Sequence, residues 1–370
     1  MRFIHFSDTH LGFSETHKID PRTGINQREQ DFYDAWFRMV EAILEKKPDF
    51  VLHTGDLFHT TRPSNRAIAV ALEGIQKISN AGIPFVVLSG NHSTPRIKSL
   101  GSIFEAIELF PNVYAAYQGK YERFRIGECD IHCVPHCALS KELEAAYEAI
   151  TILPEARFNV FACHGAWAER QGYSMGEFNE QRIPNPETKL GLRFDYLALG
   201  HYHKHIDVST KAAYPGSTER TSFNEVGYTS GYLLVDLEKG NRKYLEIPSR
   251  KMIKLPALDC STLTVQDIYK ELEKLATNTL DEAMVSLELV NIQHDTFLRL
   301  DPKRIDAIFE RVFYLEKYFS QIERRGEASK VTAIEALPLE FERYVENLET
   351  IELDKERLKK MGVRYLEDAD

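Results

Sequence analysis

Through roughly the first 250 residues, short apolar runs alternate with longer stretches whose apolar positions recur every three or four residues. RFIHFSD, DFVLHTGD and IPFVVLSGNH read as buried strands. Between the first two, Phe32, Trp36, Val40 and Ile43 fall at helical spacing. Between the second and third, Ser64 is the expected N-cap of a helix with Ile68, Ala71, Leu72 and Ile75 on its apolar stripe, closed by Gly82. After residue 112 the connections shorten. YERFRIGECDIHCVPH predicts a hairpin turning near Gly127, and RFNVFACHG, DYLALGHYH and YTSGYLLVDLE follow as strands. The expected fold is an α/β sandwich, parallel in its first half and more antiparallel in its second.

From about residue 251 the pattern restarts. TVQDIYKELEKLA predicts an amphipathic helix, AMVSLELVNI a strand, and DPKRIDAIFERVF a helix with Asp301-Pro302 at its start. Residues 335–370 form two highly charged helical segments with too few apolar positions for a core of their own, so they are expected to dock on something else. The expected organisation is 1–250, a small α/β unit at 251–332, and a helical tail at 333–370. Residues 166–194 read as a long polar loop.

A chain of 370 residues with 43% hydrophobic and 28% charged residues is expected to be globular, with two or three domains. No apolar stretch is long enough to span a bilayer, and MRFIHFSDTH reads as a strand rather than a signal peptide. With no secretory signal, the five cysteines are expected to be reduced, in a cytoplasmic protein. Cys129, Cys133 and Cys137, interleaved with His132 and His136, read as buried thiols, and His5, His53 and His205 as structural. The net charge of -10 argues against coating DNA non-specifically, yet leaves room for a local basic groove.

Five polar clusters end these apolar runs: Asp8-Thr9-His10, Gly55-Asp56, Gly90-Asn91-His92, His164-Gly165 and Gly200-His201-Tyr202-His203. In open α/β sheets ligands gather beyond the carboxyl ends of the strands. Together the clusters offer two carboxylates, one amide oxygen and five imidazoles, about what two divalent ions need. Hard oxygen with imidazole and no thiolate suits Mn, Fe or Zn better than Ca or a cysteine-bound zinc. Two such ions suit phosphate-ester cleavage, one clamping the attacking oxygen and one the leaving oxygen. Asp56 can offer an oxygen to each ion, Asn91 its side-chain oxygen, and His201 and His203, two apart, can reach different ions.

The order D-x-H, G-D, G-N-H, H-G, G-H-x-H resembles the signature of the calcineurin-like metallophosphoesterases. GDLFHTTRPSNRAI and AYPGSTERTSF are similar to the SbcD-type nuclease subunit of the double-strand-break repair complex, with the likeness strongest over 1–250. The resemblance implies two mixed sheets flanked by helices, with a small α/β capping domain and a helical tail. It implies that Asp8, His10, Asp56 and His203 hold one metal and that Asp56, Asn91, His164 and His201 hold the other. It also implies that His92 stabilises the transition state or protonates the leaving oxygen, and that His59 orients the phosphodiester. The implied activity is a DNA exonuclease and endonuclease using two Mn2+, with Mg2+, Fe2+ or Zn2+ as alternatives. The implied setting is a homodimer (Ile68, Phe104 and Phe110 being candidate contacts) near the nucleoid, with an SMC-like ATPase of the SbcC type taking residues 335–370.

Lys18, Arg22, Arg28, Arg62, Arg66, Arg96 and Lys98 fall in or near the early loops and as a set can line a phosphate-tracking groove. One position departs from the family: Ser93 stands where an Asp usually follows G-N-H, so the carboxylate that buttresses the adjacent histidine in the family is not supplied at this position. Competing expectations are a phosphomonoesterase or cyclic-nucleotide phosphodiesterase with the same ligands, and a non-catalytic scaffold.

Overall fold

In a computed structural model of the chain, the described residues are 1–16, 18–94, 101–168, 180–322, 341, 345 and 355–367. The first half supplies β1 (Arg2–Phe6), α1 (Gln27–Lys46), β2 (Phe50–His53), α2 (Asn65–Asn80), β3 (Phe85–Leu88), α3 (Phe104–Ile107) and β4 (Val113–Ala116). There follow β5 (Glu122–Ile126), β6 (Cys129–Val134), α4 (Ser140–Glu148), β7 (Phe158–His164), β8 (Ala166–Trp167), β9 (Arg182–Ile183) and α5 (Pro186–Leu190). Then come β10 (Tyr196–Gly200), β11 (Ile206–Asp207), β12 (Ala212–Tyr214), β13 (Gly231–Asp236) and β14 (Asn241–Glu246).

These strands make two six-stranded sheets, β14-β13-β1-β2-β3-β4 and β11-β12-β10-β7-β6-β5. In the first, β1 to β4 run parallel, while β13 returns antiparallel beside β1 with Phe3 opposite Val235. As expected, the antiparallel pairs among the described residues of 1–250 all involve second-half strands: β5–β6, β11–β12, β13–β1 and β13–β14. In the second sheet, β6, β7, β10 and β12 are mutually parallel, and only the edge strands β5 and β11 run the other way. A parallel sheet needs cover on both faces, and this one has it.

Side chains alternate across each strand. Phe3, Phe50, Leu52, Val86 and Leu88 of the first sheet face Ile131, Val160, Ala162 and Ala198 of the second, forming the core between the sheets. The opposite face of the first sheet, with Ile4, Phe6, Val51 and Phe85, packs on Trp36, Val40 and Ile43 of α1 and Ala71, Ile75 and Ile78 of α2. Phe161, Leu197 and Leu199 of the second sheet pack outward on Tyr147, Trp167 and Phe194. The order is helices, sheet, sheet, helices. Burial on both faces is why the strands read as unbroken apolar runs rather than alternating ones.

Ser64 caps its helix as expected, and the structure adds a cap at Asn26. Asn26 caps α1 by accepting from the Arg28 and Glu29 amides, and Ser64 caps α2 by accepting from Ala67. The apolar stripe of α2 lies differently from expectation: Ala67, Ala71, Gly74, Ile75 and Ile78 face inward, while Ile68 and Leu72 are half-buried. The cause is Trp36, whose ring fills the space beside Gly74 and whose Nε1 donates to the Val70 carbonyl at 3.1 Å. Phe104, a candidate dimer contact, is fully buried in its own chain and stacks on Tyr117, whereas Leu109 is 82% exposed. Residues 166–194 are not all loop, since they contain β8, β9 and α5. All five cysteines are free and buried.

The chain divides into two compact units. The first comprises residues 1–256, 271–288 and 302–318, and the second 257–270, 289–301 and 319–370. In the first unit, Met252–Lys254 pairs in parallel with Met284–Ser286. In the second, Leu258–Asp259 pairs in parallel with Leu289–Val290. No helix among the described residues is long and apolar enough to cross a membrane.

A buried charge network closes the first unit. Arg28, fully buried, bonds Asp31 at 2.8 Å and Glu219 at 3.1 Å and also donates to the Arg220 carbonyl. Arg250 bonds Asp31 at 2.6 Å and lies over the Phe313 ring. Arg28 is therefore not available to a phosphate, which corrects its place in the expected groove. Removing one partner of a buried pair strands the other's charge, so Arg28→Ala is expected to lose about 3–5 kcal/mol of unfolding free energy in urea titrations.

Two buried histidines give the fold a pH dependence. The Gly55 amide donates to His53 Nδ1, so the ring's proton sits on Nε2, shared with the Thr9 hydroxyl at 2.9 Å. Burial pushes the His53 imidazole down to about 3, and burial together with His53 pushes His5 well below its usual value. Both rings must be neutral when folded, whereas the unfolded chain takes up their protons near pH 6.5. Stability is thus complete above about pH 6.5 and falls as the pH drops below it, by about 1.4 kcal/mol per pH unit for each ring. Urea midpoints of the metal-free chain between pH 6.5 and 5.5 are expected to show this slope, and His53→Gln to reduce it.

Candidate metal centre

The strand-end loops are zipped to one another. Asp8 N donates to the Gly55 carbonyl at 3.0 Å, His10 N to that of Asp56 at 2.9 Å, and Leu11 N to that of Leu57 at 2.9 Å. Within these loops Asp8, His10, Asp56 and His201 have φ of 53°, 47°, 52° and 112°. Positive φ at a residue other than glycine costs on the order of 1–3 kcal/mol and persists only where surroundings enforce it. Here it swings the side chains off the strand direction and toward each other. Gly90 and Gly200 let the loops close: a Cβ on the first would overlap the Asp56 carboxylate, and one on the second the Thr54 carbonyl.

The side chains expected to act together do converge. Ligand atoms of Asp8, His10 and His203 lie within 4.8 Å of one another, as do those of Asp8, Asp56 and His164, and of His10, His59 and His92. His10 Nε2 is 3.0 Å from His203 Nε2. His164 Nε2 is 3.1 Å from Asp56 Oδ2 and 2.9 Å from Asn91 Oδ1. The His201 ring lies 5.3 Å from that of His164, and its backbone N–H donates to Asp8 Oδ2 at 3.1 Å.

These residues suit divalent cations. Asp8 and Asp56 are almost wholly buried, and Asp8 Oδ1 has no hydrogen-bond partner. A buried carboxylate oxygen without a donor is costly unless a cation faces it. Donor atoms only 2.9–3.1 Å apart are close enough for neighbouring side chains to share one ion. Oxygen and imidazole donors without thiolate fit the same class of ion.

Electrostatics support this. Burial pushes the Asp8 carboxyl up, against the attraction of His164 and His203. Burial also acts on Asp56, but attraction to His164 and the hydrogen bond from it, helped by His10 and His92, hold its carboxyl well below the usual range. His164 is raised by Asp56 and Asp8 in spite of burial, which favours its neutral form. Both shifts come from the same close pair, so a cation bound beside Asp56 competes with a proton on His164. Burial and His203 keep His10 neutral, as a ligand must be.

His92 and His59 stack at one rim of the site, with ring centroids 5.1 Å apart, and His59 Nδ1 is 3.4 Å from His10 Nδ1. His92 Nδ1 donates to the His59 carbonyl at 2.9 Å, and its backbone N–H donates to Asp56 Oδ1 at 3.0 Å. Ser93 is buried and its hydroxyl donates to the Phe58 carbonyl at 3.4 Å. Arg62 and Arg66 are exposed, Lys18 is half-buried and donates to the Phe313 carbonyl, and Arg96 and Lys98 lie outside the described residues. Sequence reading missed two carboxylates, Glu180 at His201 and Glu225 at His203. Neither lies in one of the five clusters. Glu225 follows AYPGSTERTSF closely, which is the only signal that marks it.

Residues 1–205 match the family described as calcineurin-like phosphoesterase. Among known proteins, the chain is 28% identical over 324 residues to the DNA double-strand break repair protein Mre11 of Thermoplasma acidophilum, covering 83% of this chain and 82% of that protein. It is 24% identical to the protein of the same name from Methanococcus maripaludis, covering 94% of this chain and 91% of the other. The corresponding protein of Methanocaldococcus jannaschii is 28% identical, with 70% of each chain covered.

The unpartnered Asp8 oxygen yields a two-sided expectation. In metal-free protein Asp8→Asn should be about 1–3 kcal/mol more stable than the parent, because a buried charge with an unsatisfied oxygen is gone. With Mn2+ at a hundredfold excess over its Kd the parent should gain about 2.7 kcal/mol and Asp8→Asn little. Urea titrations with and without Mn2+ measure both.

Proposed function

Because this chain belongs to the calcineurin-like phosphoesterase family, and so is a metal-dependent phosphoesterase, we propose that it is a Mn2+-dependent DNA nuclease of double-strand-break repair. The observation that carries the reading is the convergence of Asp8, His10, Asp56, His164 and His203, with Asn91 against His164, the His201 ring beside it, and His92 and His59 stacked on the rim. Similarity over most of the chain to proteins named for double-strand break repair supports DNA as the substrate.

In this reading Asp8, His10, Asp56 and His203 hold one ion and Asp56, Asn91, His164 and His201 the other. Bound divalent cations supply Lewis-acid stabilisation of phosphoryl charge and bring the pKa of bound water toward about 7. The protein's own contribution is placement. The His59 carbonyl fixes the proton on His92 Nδ1, so Nε2 is the ring atom that meets the phosphodiester. There a protonated ring donates to the developing charge or to the leaving oxygen. His59, held against Phe13 and His92, orients the phosphodiester. Exposed Arg62 and Arg66 contact the DNA backbone, and Arg96 and Lys98 are assigned the same task. The small α/β region at 251–332 helps position DNA. Residues 335–370 dock on an SMC-like ATPase of the SbcC type, and two copies of the chain work together.

The test is incubation of the full chain with end-labelled linear duplex and hairpin DNA, with and without Mn2+. Mn2+-dependent cleavage of DNA is expected. Robust hydrolysis of a nitrophenyl phosphate with no cleavage of DNA, with or without the ATPase, would replace the nuclease by a small-substrate phosphoesterase. His92→Ser should lose about 10²–10⁴-fold in DNA cleavage rate while calorimetry still shows two Mn2+ bound. Loss of metal along with activity would move His92 from the substrate to the metal centre.

A further inference from the structure

The two histidines of Gly200-His201-Tyr202-His203 each meet a carboxylate, buried for His203 and half-buried for His201, and they meet it through opposite ring nitrogens. His203 offers Nδ1 to Glu225 Oε1 at 2.7 Å, with its Nε2 toward His10. His201 offers Nε2 to Glu180 Oε1 at 3.1 Å. We propose that Glu225 and Glu180 are positioning residues that set which nitrogen each histidine turns to its metal, Nε2 for His203 and Nδ1 for His201. This rests on the two-metal reading above and adds to it the tautomer of each ring.

Glu225 ends a short turn, Phe223–Glu225, and is buried. Its Oε2 accepts from the Thr221 backbone N–H at 2.9 Å, and its Oε1 from the Thr221 hydroxyl at 2.6 Å. A backbone N–H can only donate, so the carboxylate is oriented as an acceptor and His203 Nδ1 is its donor. The proton then sits on Nδ1, leaving Nε2 as the lone-pair nitrogen of a neutral ring.

Glu180 is held in place through its neighbour. The Gln181 side chain accepts from the Cys137 backbone N–H at 3.2 Å and donates to the Cys137 carbonyl at 3.1 Å. The Gln181 carbonyl accepts from the Ala166 N–H at 2.8 Å. With the next residue fixed on two sides, the Glu180 carboxylate is brought to His201 Nε2, and Nδ1 becomes that ring's metal-facing atom. Nδ1 lies nearer the backbone than Nε2, so two imidazoles two residues apart have different reach and can serve different ions. Carboxylates behind ligating histidines fix tautomer and ring orientation, and their loss typically weakens metal binding about 10–100-fold.

The experiment uses the full chain. Calorimetric titration with Mn2+ should find two ions in the parent, one weakened 10–100-fold in Glu225→Ala and the other in Glu180→Ala. Glu225→Gln, which keeps an acceptor oxygen, should stay close to the parent. Long-range nitrogen–proton NMR on histidine-labelled metal-free protein should show the proton of His203 on Nδ1 and that of His201 on Nε2, a readout that a merely structural glutamate would not set. Should Glu225→Ala fail to fold, the parent's tautomers and the Gln variant carry the test. Opposite tautomers, or parent affinity at both sites in both Ala variants, would overturn the proposal. A parent that binds no Mn2+ would instead overturn the two-metal reading beneath it.

Discussion

The three hydrogen bonds that join the loop after β1 to the loop after β2 are the constraint on which the centre depends. By tying Asp8 to Gly55, His10 to Asp56 and Leu11 to Leu57, they continue the parallel pairing of the two strands past their ends. They also hold Asp8, His10 and Asp56 at positive φ, a conformation these residues would leave if the loops separated. The result concentrates two carboxylates and several imidazoles in a buried space. That is unfavourable for the metal-free chain and favourable for one carrying cations, so binding and local order are coupled.

The loop that follows His203 needs its own anchorage, and it comes from charge. Glu219 and Arg220 join Arg28, Asp31 and Arg250 in a network that runs from the start of α1 to the segment leaving β14. Six residues after Glu219 stands Glu225, against His203. A buried ion network of this kind is a poor source of stability but fixes geometry, since each partner depends on the others. AYPGSTERTSF meets His203 through the Ser217 N–H, which donates to its backbone carbonyl at 3.0 Å, and through the Thr221 hydroxyl beside its Nδ1.

The Ser93 departure has a structural answer. The hydroxyl packs against the Phe58 carbonyl in a buried position, where an added carboxylate would face a carbonyl oxygen. His92 is oriented by the His59 carbonyl and by its own N–H on Asp56. A carbonyl fixes the ring's tautomer as a carboxylate does but adds no full negative charge, so it does less to raise the ring's basicity. His59 therefore bears on His92 twice, through its carbonyl and through its stacked ring.

Local pattern alone determined the strands, the helix cap at Ser64, and the grouping of polar residues at strand ends. Short-range chemistry governs each of these: apolar runs, side-chain acceptors at helix starts, and glycines where loops approach. Tertiary structure decided the rest. It placed β13 beside β1 and kept the second sheet parallel at its centre, because strand partners are chosen by burial across the whole chain. It turned Arg28 inward and Phe104 into the core, since an isolated arginine or phenylalanine in sequence carries no sign of which way it faces. It brought Glu180 and Glu225 to histidines more than twenty residues away in sequence. A ligand motif is spelled by neighbours in the chain, whereas the groups that orient a ligand need only be neighbours in space.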